Sequence, residues 1–474
     1  MDYEETIAFL GQWGRFQQIV FFLLCASIMP NGFGAFSVVF LTDIQNHHCI
    51  VPKVNLTQDW RNGCVDGWSY SKDIYQSTLV SEFDLVCRDQ WKQPFTATVY
   101  FLGVVVGSFF SGQLSDRFGR KLVFFATMAV QTVFTFVQIF SPSWTVFSIL
   151  NFISGLGQIS NYVAAFVLGT EILTGNIRVL FSSLGVCLGF AIGYMVLPLF
   201  AYFLRDWKSL LIAISLPGLL YIPLWRFIPE SPRWLLSQGR VEEAEAIVRE
   251  AAKRNRVEAP LVIFEDYREL PNVFNLLRTR NIRNTTVILS LVWFILSTGY
   301  FGLSLNTSRL HANPYISCFI SAAVEVPAYI SSWLALQYLT RRLSVICILL
   351  LGGVSLLLIT LVPQTLSELS VALEMLGKFG ITTGTSLMYV YTAELYPTVL
   401  RNTATGVCST ASRIGSCIAP FLLQLSQYYK YLPYITLGTL AAGSAFAALF
   451  LPETFGQPLP QTIQQMHKRE RWVT

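Results

Sequence analysis

The stretch Tyr389–Arg413, YVYTAELYPTVLRNTATGVCSTASR, decides the architecture because its charges have counterparts far upstream. Glu394 precedes Arg401 by seven residues, and Glu171 precedes Arg178 by the same seven. The two glutamates lie 223 residues apart, and Pro229-Glu230-Ser231 returns as Pro452-Glu453-Thr454 after the same interval. Matched positions on one offset predict a duplicated half-chain. Arg413 has no such counterpart, since position 190 is Phe190. A cation about halfway along an otherwise apolar segment reads as a functional residue by default. A repeated frame with one unrepeated charge points to a site.

Working outward, the 474 residues are 53% hydrophobic and 13% charged, more apolar surface than one soluble core can hide. Apolar runs of the length that crosses a bilayer occur twelve times, at about 18–41, 95–113, 122–141, 145–169, 179–203, 208–228, 286–305, 314–338, 343–362, 367–392, 403–425 and 431–451. The expected fold is therefore an all-α membrane protein of twelve transmembrane helices. Its domains are a first six-helix bundle over 1–228 with an outer loop at 42–94, a linker at 229–285, a second bundle over 286–452 and a tail at 453–474. Met1 to Gln17 has no basic n-region or cleavage site, so no signal peptide is expected. Lys and Arg gather at Arg117, Arg120, Lys121, in the run from Arg233 to Arg283, and at Arg341, Arg342, Lys468, Arg469 and Arg471. All fall on one side, which the positive-inside rule makes cytoplasmic, together with both termini. The net charge of +5 gives no reason to expect a nucleic-acid partner.

The 42–94 loop holds Cys49, Cys64 and Cys87 and the acceptor Asn55-Leu56-Thr57, which suits an oxidising, glycosylating compartment. Three cysteines leave one thiol over, and the pairing stays open. The other six cysteines fall in the spans without metal-ligand spacing, and His47, His48, His311 and His467 fall in loops or tails. No catalytic or metal centre is expected, and no enzyme. Gly169 to Asn176 resembles a phosphate loop but lacks its lysine, which excludes a nucleotide-driven pump there.

Within the spans, Pro30-Asn31-Gly32 interrupts the first apolar run and leaves the Asn31 amide inside it. Gln158, Asn161 and Tyr162 are spaced i, i+3, i+4 on one helix face, with Gln131 in the preceding span placed to meet them. Converging amide and hydroxyl oxygens suit a hard cation such as sodium, and they equally suit helix–helix hydrogen bonding. In the second half Tyr300, Glu325, Lys378, Tyr389 and Arg413 all lie in apolar runs. A guanidinium fork matches a carboxylate, while aromatic faces and a buried acid suit an organic cation, so together they describe a zwitterion site. The competing reading is an internal charge network, with Glu374 and Lys378 paired at i, i+4. Gly406, Ser409, Ser412 and Gly415 flank Arg413 with small surfaces that let helices pack closely.

Between spans two and three, Gly112-Gln113-Leu114-Ser115-Asp116-Arg117-Phe118-Gly119-Arg120-Lys121 matches the G-x-L-x-D-R-x-G-R-K loop of the major facilitator superfamily. A glycine turn with an acid and several bases can clamp neighbouring helix ends. The equivalent Leu339-Thr340-Arg341-Arg342 keeps only the bases, which predicts an asymmetric latch. Together with Ala8-Phe9-Leu10-Gly11, Pro30 to Phe33, Gly157 to Glu171, Glu230 to Leu235, Tyr300 to Leu305 and Glu394 to Pro397, this loop resembles the carnitine and ergothioneine branch of the organic-ion transporter family.

That resemblance implies a plasma-membrane major facilitator fold of two pseudo-symmetric six-helix bundles and uptake of a zwitterionic or cationic organic substrate, with sodium as coupling ion and no other cofactor. Arg413 would hold the substrate carboxylate, Tyr162, Tyr300 and Tyr389 would line the cavity beside Glu325 and Lys378, and Asn31, Gln131, Gln158 and Asn161 would form the sodium region. Asp116, Arg117, Arg120, Glu171, Arg178, Glu394 and Arg401 would serve gating and coupling. A sodium-independent cation facilitator and a non-transporting receptor are the rival readings. The outer loop is shorter than the branch's and has a cysteine fewer. Thr385 and Gly189 stand where the branch carries aromatics and Glu374 where it is apolar, so a wider pocket and a partly neutralised Lys378 are expected.

Overall fold

A computed structural model describes residues 3–50, 64, 67–264, 280–306, 313–396 and 398–452. Twelve long helices organise the described chain. The first six are α1 (Arg15–Phe36), α2 (Lys92–Phe118), α3 (Arg120–Val137), α4 (Trp144–Ile172), α5 (Val186–Phe203) and α6 (Trp207–Tyr221). The second six are α7 (Arg280–Leu305), α8 (Pro314–Tyr338), α9 (Arg341–Leu358), α10 (Ser367–Leu395), α11 (Thr398–Leu423) and α12 (Leu432–Ala448). Counted with the helical turns that continue them, as in Gly175–Phe203 for α5 and Trp207–Arg226 for α6, ten are long and apolar enough to cross a membrane by length and composition. Of the other two, α12 is shorter, and α10 carries Glu374 and Lys378 within it. Several helices outrun their apolar stretches, because the apolar run marks the hydrocarbon thickness while the helix continues to its cap. α2, for example, stops only at Gly119, whose φ of 96° turns the chain into α3.

The repeat seen in the charges is a repeat in packing. α1 packs on α5 as α7 packs on α11, α2 on α4 as α8 on α10, and α3 on α4 as α9 on α10. Glycines sit at two of these contacts. A Cβ on Gly189 would lie 2.6 Å from the Cys25 carbonyl oxygen of α1, and one on Gly415 would lie 2.6 Å from the Phe294 carbonyl oxygen of α7. Backbones come close there because no side chain intervenes. The two bundles then meet along α5 with α8 and along α2 with α11. Large apolar side chains such as Phe140, Phe203, Leu220 and Phe446 stay exposed, the outer surface expected of helices bathed in lipid.

The ends of the bundles differ. One end, the loop face, carries the segment between α1 and α2, where a sheet the sequence did not suggest forms from β1 (His47–Cys49) and β2 (Trp68–Tyr70), antiparallel with His47 opposite Tyr70. Cys49 is bonded to Cys64, which leaves Cys87 as the free and exposed thiol of this loop. The other end, the terminal face, carries the chain start and the linker. There a helix over Val241–Asn255 buries Ala244, Val248, Ala251 and Ala252 and turns its charged residues outward, as its periodicity predicts. Asn255 fixes that helix to the first bundle, donating to the carbonyl of Leu10 (3.2 Å) and to Gln17 (2.8 Å) and accepting from the Phe16 backbone N–H (2.9 Å). The described part of the linker is thus mechanically part of the first bundle. Asn55, the tail from 453 onward and the Arg401 side chain lie outside what is described.

Candidate functional site

A cavity of about 1120 Å³, including the part open to solvent, lies between the two bundles. Its wall comes from both: Tyr100 and Phe101 of α2, Gln158 and Tyr162 of α4, Cys187 and Phe190 of α5, Trp293 to Phe301 of α7, Tyr329 of α8, Thr382 to Tyr389 of α10, and Ser412, Arg413 and Ser416 of α11. Arg413 is half-buried, its guanidinium carbon 5.8 Å from the centre of the Tyr162 ring. No carboxylate lies within ion-pair distance of it among the described residues, and its Nε has no hydrogen-bond partner there. Tyr389 stands edge-on to Trp293 with ring centres 4.5 Å apart, and the indole N–H of Trp293 donates to Thr392 (3.0 Å), which fixes that wall. Toward the loop face the cavity is roofed by aromatic rings from both bundles, with Phe36 against Tyr194 (4.3 Å) and Phe301 (5.7 Å) and Phe101 against Phe301 (4.9 Å).

Of the residues singled out in the sequence, Arg413, Tyr162, Tyr300, Tyr389 and Gln158 meet on this cavity. Glu325 and Lys378 do not line it. They form a fully buried pair behind the wall, Nζ to Oε1 3.4 Å, with Lys378 also donating to Ser321 (2.6 Å). Tyr300 joins the two layers, because its ring faces the cavity while its hydroxyl donates to Glu325 (2.5 Å). The expected pairing of Glu374 with Lys378 is not what the helices produce. Glu374 accepts from Tyr434 (2.7 Å) and Asn306 (3.5 Å), and Lys378 is committed to Glu325, since α8 and α12 each bring a better-placed partner than the neighbouring turn. Thr385 does line the cavity, whereas Gly189 serves the contact of α5 with α1 and adds no space. Gly406, by contrast, meets nothing within 4 Å, so of Gly406 and Gly415 it is Gly415 that carries close packing.

The four amide residues separate. Gln131 lines a smaller cavity inside the first bundle together with Tyr100 and Ser154, and Tyr100 borders both cavities. Asn161 donates to the Phe124 carbonyl (3.0 Å), and Asn31 is wholly buried. Among the described residues both amide atoms of Asn31, the carbonyl oxygens of Gln131 and Asn161 and the Tyr100 hydroxyl have no hydrogen-bond partner. Buried polar atoms without partners are uncommon. No group of three or more His, Cys, Asp or Glu residues suited to a metal ion occurs among the described residues.

On the terminal face Arg120 donates to Asp116 (2.8 Å) and, through two nitrogens, to Glu171 (3.0 and 3.3 Å). Glu171 in turn accepts from Ser231, while Glu230 accepts the backbone N–H groups of Arg120 (3.1 Å) and Lys121 (3.3 Å). Burial raises the Glu230 carboxyl above its ordinary value, opposed by those N–H groups. Arg178 reaches Glu4, so the repeated Glu–Arg spacing does not place Glu171 and Arg178 on each other. Arg117 has its guanidinium over Phe118 (5.4 Å). In the second half Arg341 takes the place of Arg120, donating to both oxygens of Glu394 (3.3 Å each). The latch is therefore more symmetric than the loop sequences suggest, and what the second half lacks is the acid corresponding to Asp116.

Sequence reasoning missed Trp293 and Tyr329. Both signals were present: Trp293 lies seven residues before Tyr300 and Tyr329 four after Glu325, so each shares a helix face with a residue already marked.

Comparison with known proteins agrees with this geometry. Residues 54–466 match the family described as sugar (and other) transporter. The chain is 51% identical to mouse organic cation/carnitine transporter 2, over 98% of this chain and 94% of that one, and the human protein of the same name gives the same figures. An organic cation transporter protein of Drosophila melanogaster is 33% identical over 98% of this chain and 94% of its own. In architecture the chain resembles the E. coli xylose transporter XylE in a partially occluded inward-open conformation, with a TM-score of 0.69 at 16% identity, covering 94% of this chain and 100% of that one. The two six-helix bundles are thus the major facilitator fold, and this chain is a multi-pass membrane transporter belonging to the organic cation/carnitine branch of the sugar (and other) transporter family.

Proposed function

We propose that the protein carries a zwitterionic organic cation, carnitine first among the candidates, across the plasma membrane by alternating access around the central cavity. The observation that carries this reading is Arg413, a guanidinium on the cavity wall with no carboxylate partner among the described residues. A planar fork with free donors is suited to a carboxylate supplied by the ligand. The rings of Tyr162, Tyr329, Tyr389 and Trp293 on the same wall suit the quaternary ammonium end, which attracts aromatic faces and donates no ordinary hydrogen bond. The names of relatives at 51% identity point to the same substrate class.

The loop face is taken as extracellular and the terminal face as cytoplasmic, on the distribution of Lys and Arg. The pairs Arg120–Glu171 and Arg341–Glu394 each stay inside one bundle. They favour movement of each bundle as a rigid body about the shared cavity. The partnerless amide oxygens of the first bundle are suited to sodium, a hard cation that neutral oxygens can hold. Uptake of labelled carnitine and ergothioneine in cells expressing the chain, with sodium present and then replaced by N-methylglucamine, tests both parts. Sodium-dependent carnitine entry is expected. Ergothioneine entry alone would keep the pocket and reassign its substrate, entry that ignores sodium would remove the coupling ion, and entry of neither would remove the reading.

A further inference from the structure

The segment 71–78 between β2 and α2 is strapped to the first bundle at several points. Gln45 donates to the carbonyls of Ser71 (2.7 Å) and Tyr75 (2.9 Å), the Tyr75 hydroxyl donates to Asp43 (2.7 Å), and the Gln76 N–H donates to the Arg205 carbonyl (3.1 Å) at the turn between α5 and α6. Burial, ahead of the Asp43 carboxylate, pushes the Tyr75 hydroxyl far above its ordinary value, so it stays a donor. Around this strap the first bundle presents the rings of Phe40, Tyr75 and Tyr202 and the guanidinium of Arg205. One side chain of the second bundle enters that ring of groups.

It is Tyr315, the second residue of α8 and only 5% exposed. Its ring stacks on Phe40 (5.5 Å, 9° between planes), meets Tyr75 (5.9 Å) and Tyr202 (5.6 Å), and lies 5.6 Å from the Arg205 guanidinium, while its hydroxyl donates to the Ile74 carbonyl (2.9 Å). Every one of those contacts crosses from one bundle to the other at the loop face. The aromatic roof of the cavity, Phe36 with Tyr194, Tyr300 and Phe301, lies between this socket and Arg413.

We propose that Tyr315 is the bolt of the loop-face gate, and that the cavity opens to that side only when the Tyr315 ring leaves the socket formed by Phe40, Ile74, Tyr75, Tyr202 and Arg205. A rigid-body rotation that parts the bundles at this end must separate all of these contacts together, because the strap moves with the first bundle and Tyr315 with the second. The Tyr315 ring and hydroxyl gather several of the contacts that hold this end closed, beside those of the aromatic roof. Weakening the Tyr315 contacts shifts the population toward the open form without touching the cavity wall. This assignment rests on the alternating-access reading, but access to the cavity can be measured without transport.

The test uses Cys187, which lines the cavity, as a native reporter in a Cys87→Ser background that removes the exposed loop thiol. Intact cells are treated with a membrane-impermeant maleimide, and Cys187 labelling is taken as the signal lost in Cys187→Ser. Tyr315→Ala should speed labelling about tenfold, the scale set by losing a ring stack and a hydrogen bond together, and Tyr315→Phe, which keeps the ring, roughly threefold. Tyr338→Ala, at the exposed opposite end of α8, should leave the rate unchanged. A wild-type rate in both Tyr315 variants, or an equal rise in Tyr338→Ala, would overturn the assignment. Should Tyr315→Ala fail to reach the surface, the Tyr315→Phe rate decides alone. Sodium-driven uptake that fails while Tyr315 still controls labelling would count against the transport reading and leave the gate standing.

Discussion

The two bundles share a frame and differ in what they bury. Each uses a glycine where its first helix meets its fifth, Gly189 in the first and Gly415 in the second, and each ties its terminal-face helix ends with an Arg–Glu pair. Inside, the first bundle is neutral: Asn31, Gln131, Asn161 and the Tyr100 hydroxyl are its buried polar markers. The second bundle holds Glu325, Lys378 and Glu374 in full burial and turns Arg413 to the cavity. The repeated parts are those that let two bodies move as units, and the unrepeated parts are those that can recognise a charged ligand. Repetition therefore marks mechanics, and its failure marks chemistry.

The largest expected effect comes from breaking the second bundle's buried charge. Lys378→Ala leaves Glu325 without a counter-charge in full burial, and an uncompensated buried ion costs about 3–5 kcal/mol. Surface expression and the melting temperature of purified protein should both fall sharply, and a Glu325→Met/Lys378→Met double variant should recover much of the melting temperature. In the first bundle Asn31→Ala should cost far less stability, since the amide atoms it removes have no partner to strand. Equal losses in Lys378→Ala and Asn31→Ala would erase the distinction between the two interiors.

A smaller effect is expected at Glu374. Its carboxyl is occupied by Tyr434 and Asn306, and Lys378 by Glu325 and Ser321, so Glu374→Gln should change stability by less than about 1 kcal/mol and leave substrate affinity where it was. Competition curves for carnitine uptake in the two proteins check this. A several-fold tightening of affinity in Glu374→Gln would show that Glu374 screens Lys378 without contacting it.

Much of the fold was legible, because twelve apolar runs and one offset of 223 residues survive any loss of detail. Arg413 and its tyrosines were legible for a related reason: in an apolar run a polar residue stands out, and those facing the cavity announce themselves. What the sequence hid was the third dimension. Spacing on one helix proposes Glu374 as the partner of Lys378, but the partner came from α8, and only packing decides between a neighbour on the same helix and one across it. Trp293 hid because an aromatic residue among apolar ones carries no contrast. The strands at His47–Cys49 and Trp68–Tyr70 hid because three-residue strands have too short a pattern to register.

The central claim is that Arg413 receives a carboxylate brought by the ligand. It is tested most directly by measuring, in Arg413→Ala and in the unaltered protein at matched surface expression, the uptake of carnitine beside that of tetraethylammonium, which carries the quaternary charge and no carboxylate. Loss of a charge-assisted, two-point contact should weaken carnitine recognition at least about tenfold, on the scale of about 1.5–3 kcal/mol for a hydrogen bond to a charged group, and leave any tetraethylammonium uptake within about twofold. Carnitine affinity unchanged in Arg413→Ala, or both substrates lost alike, would contradict it.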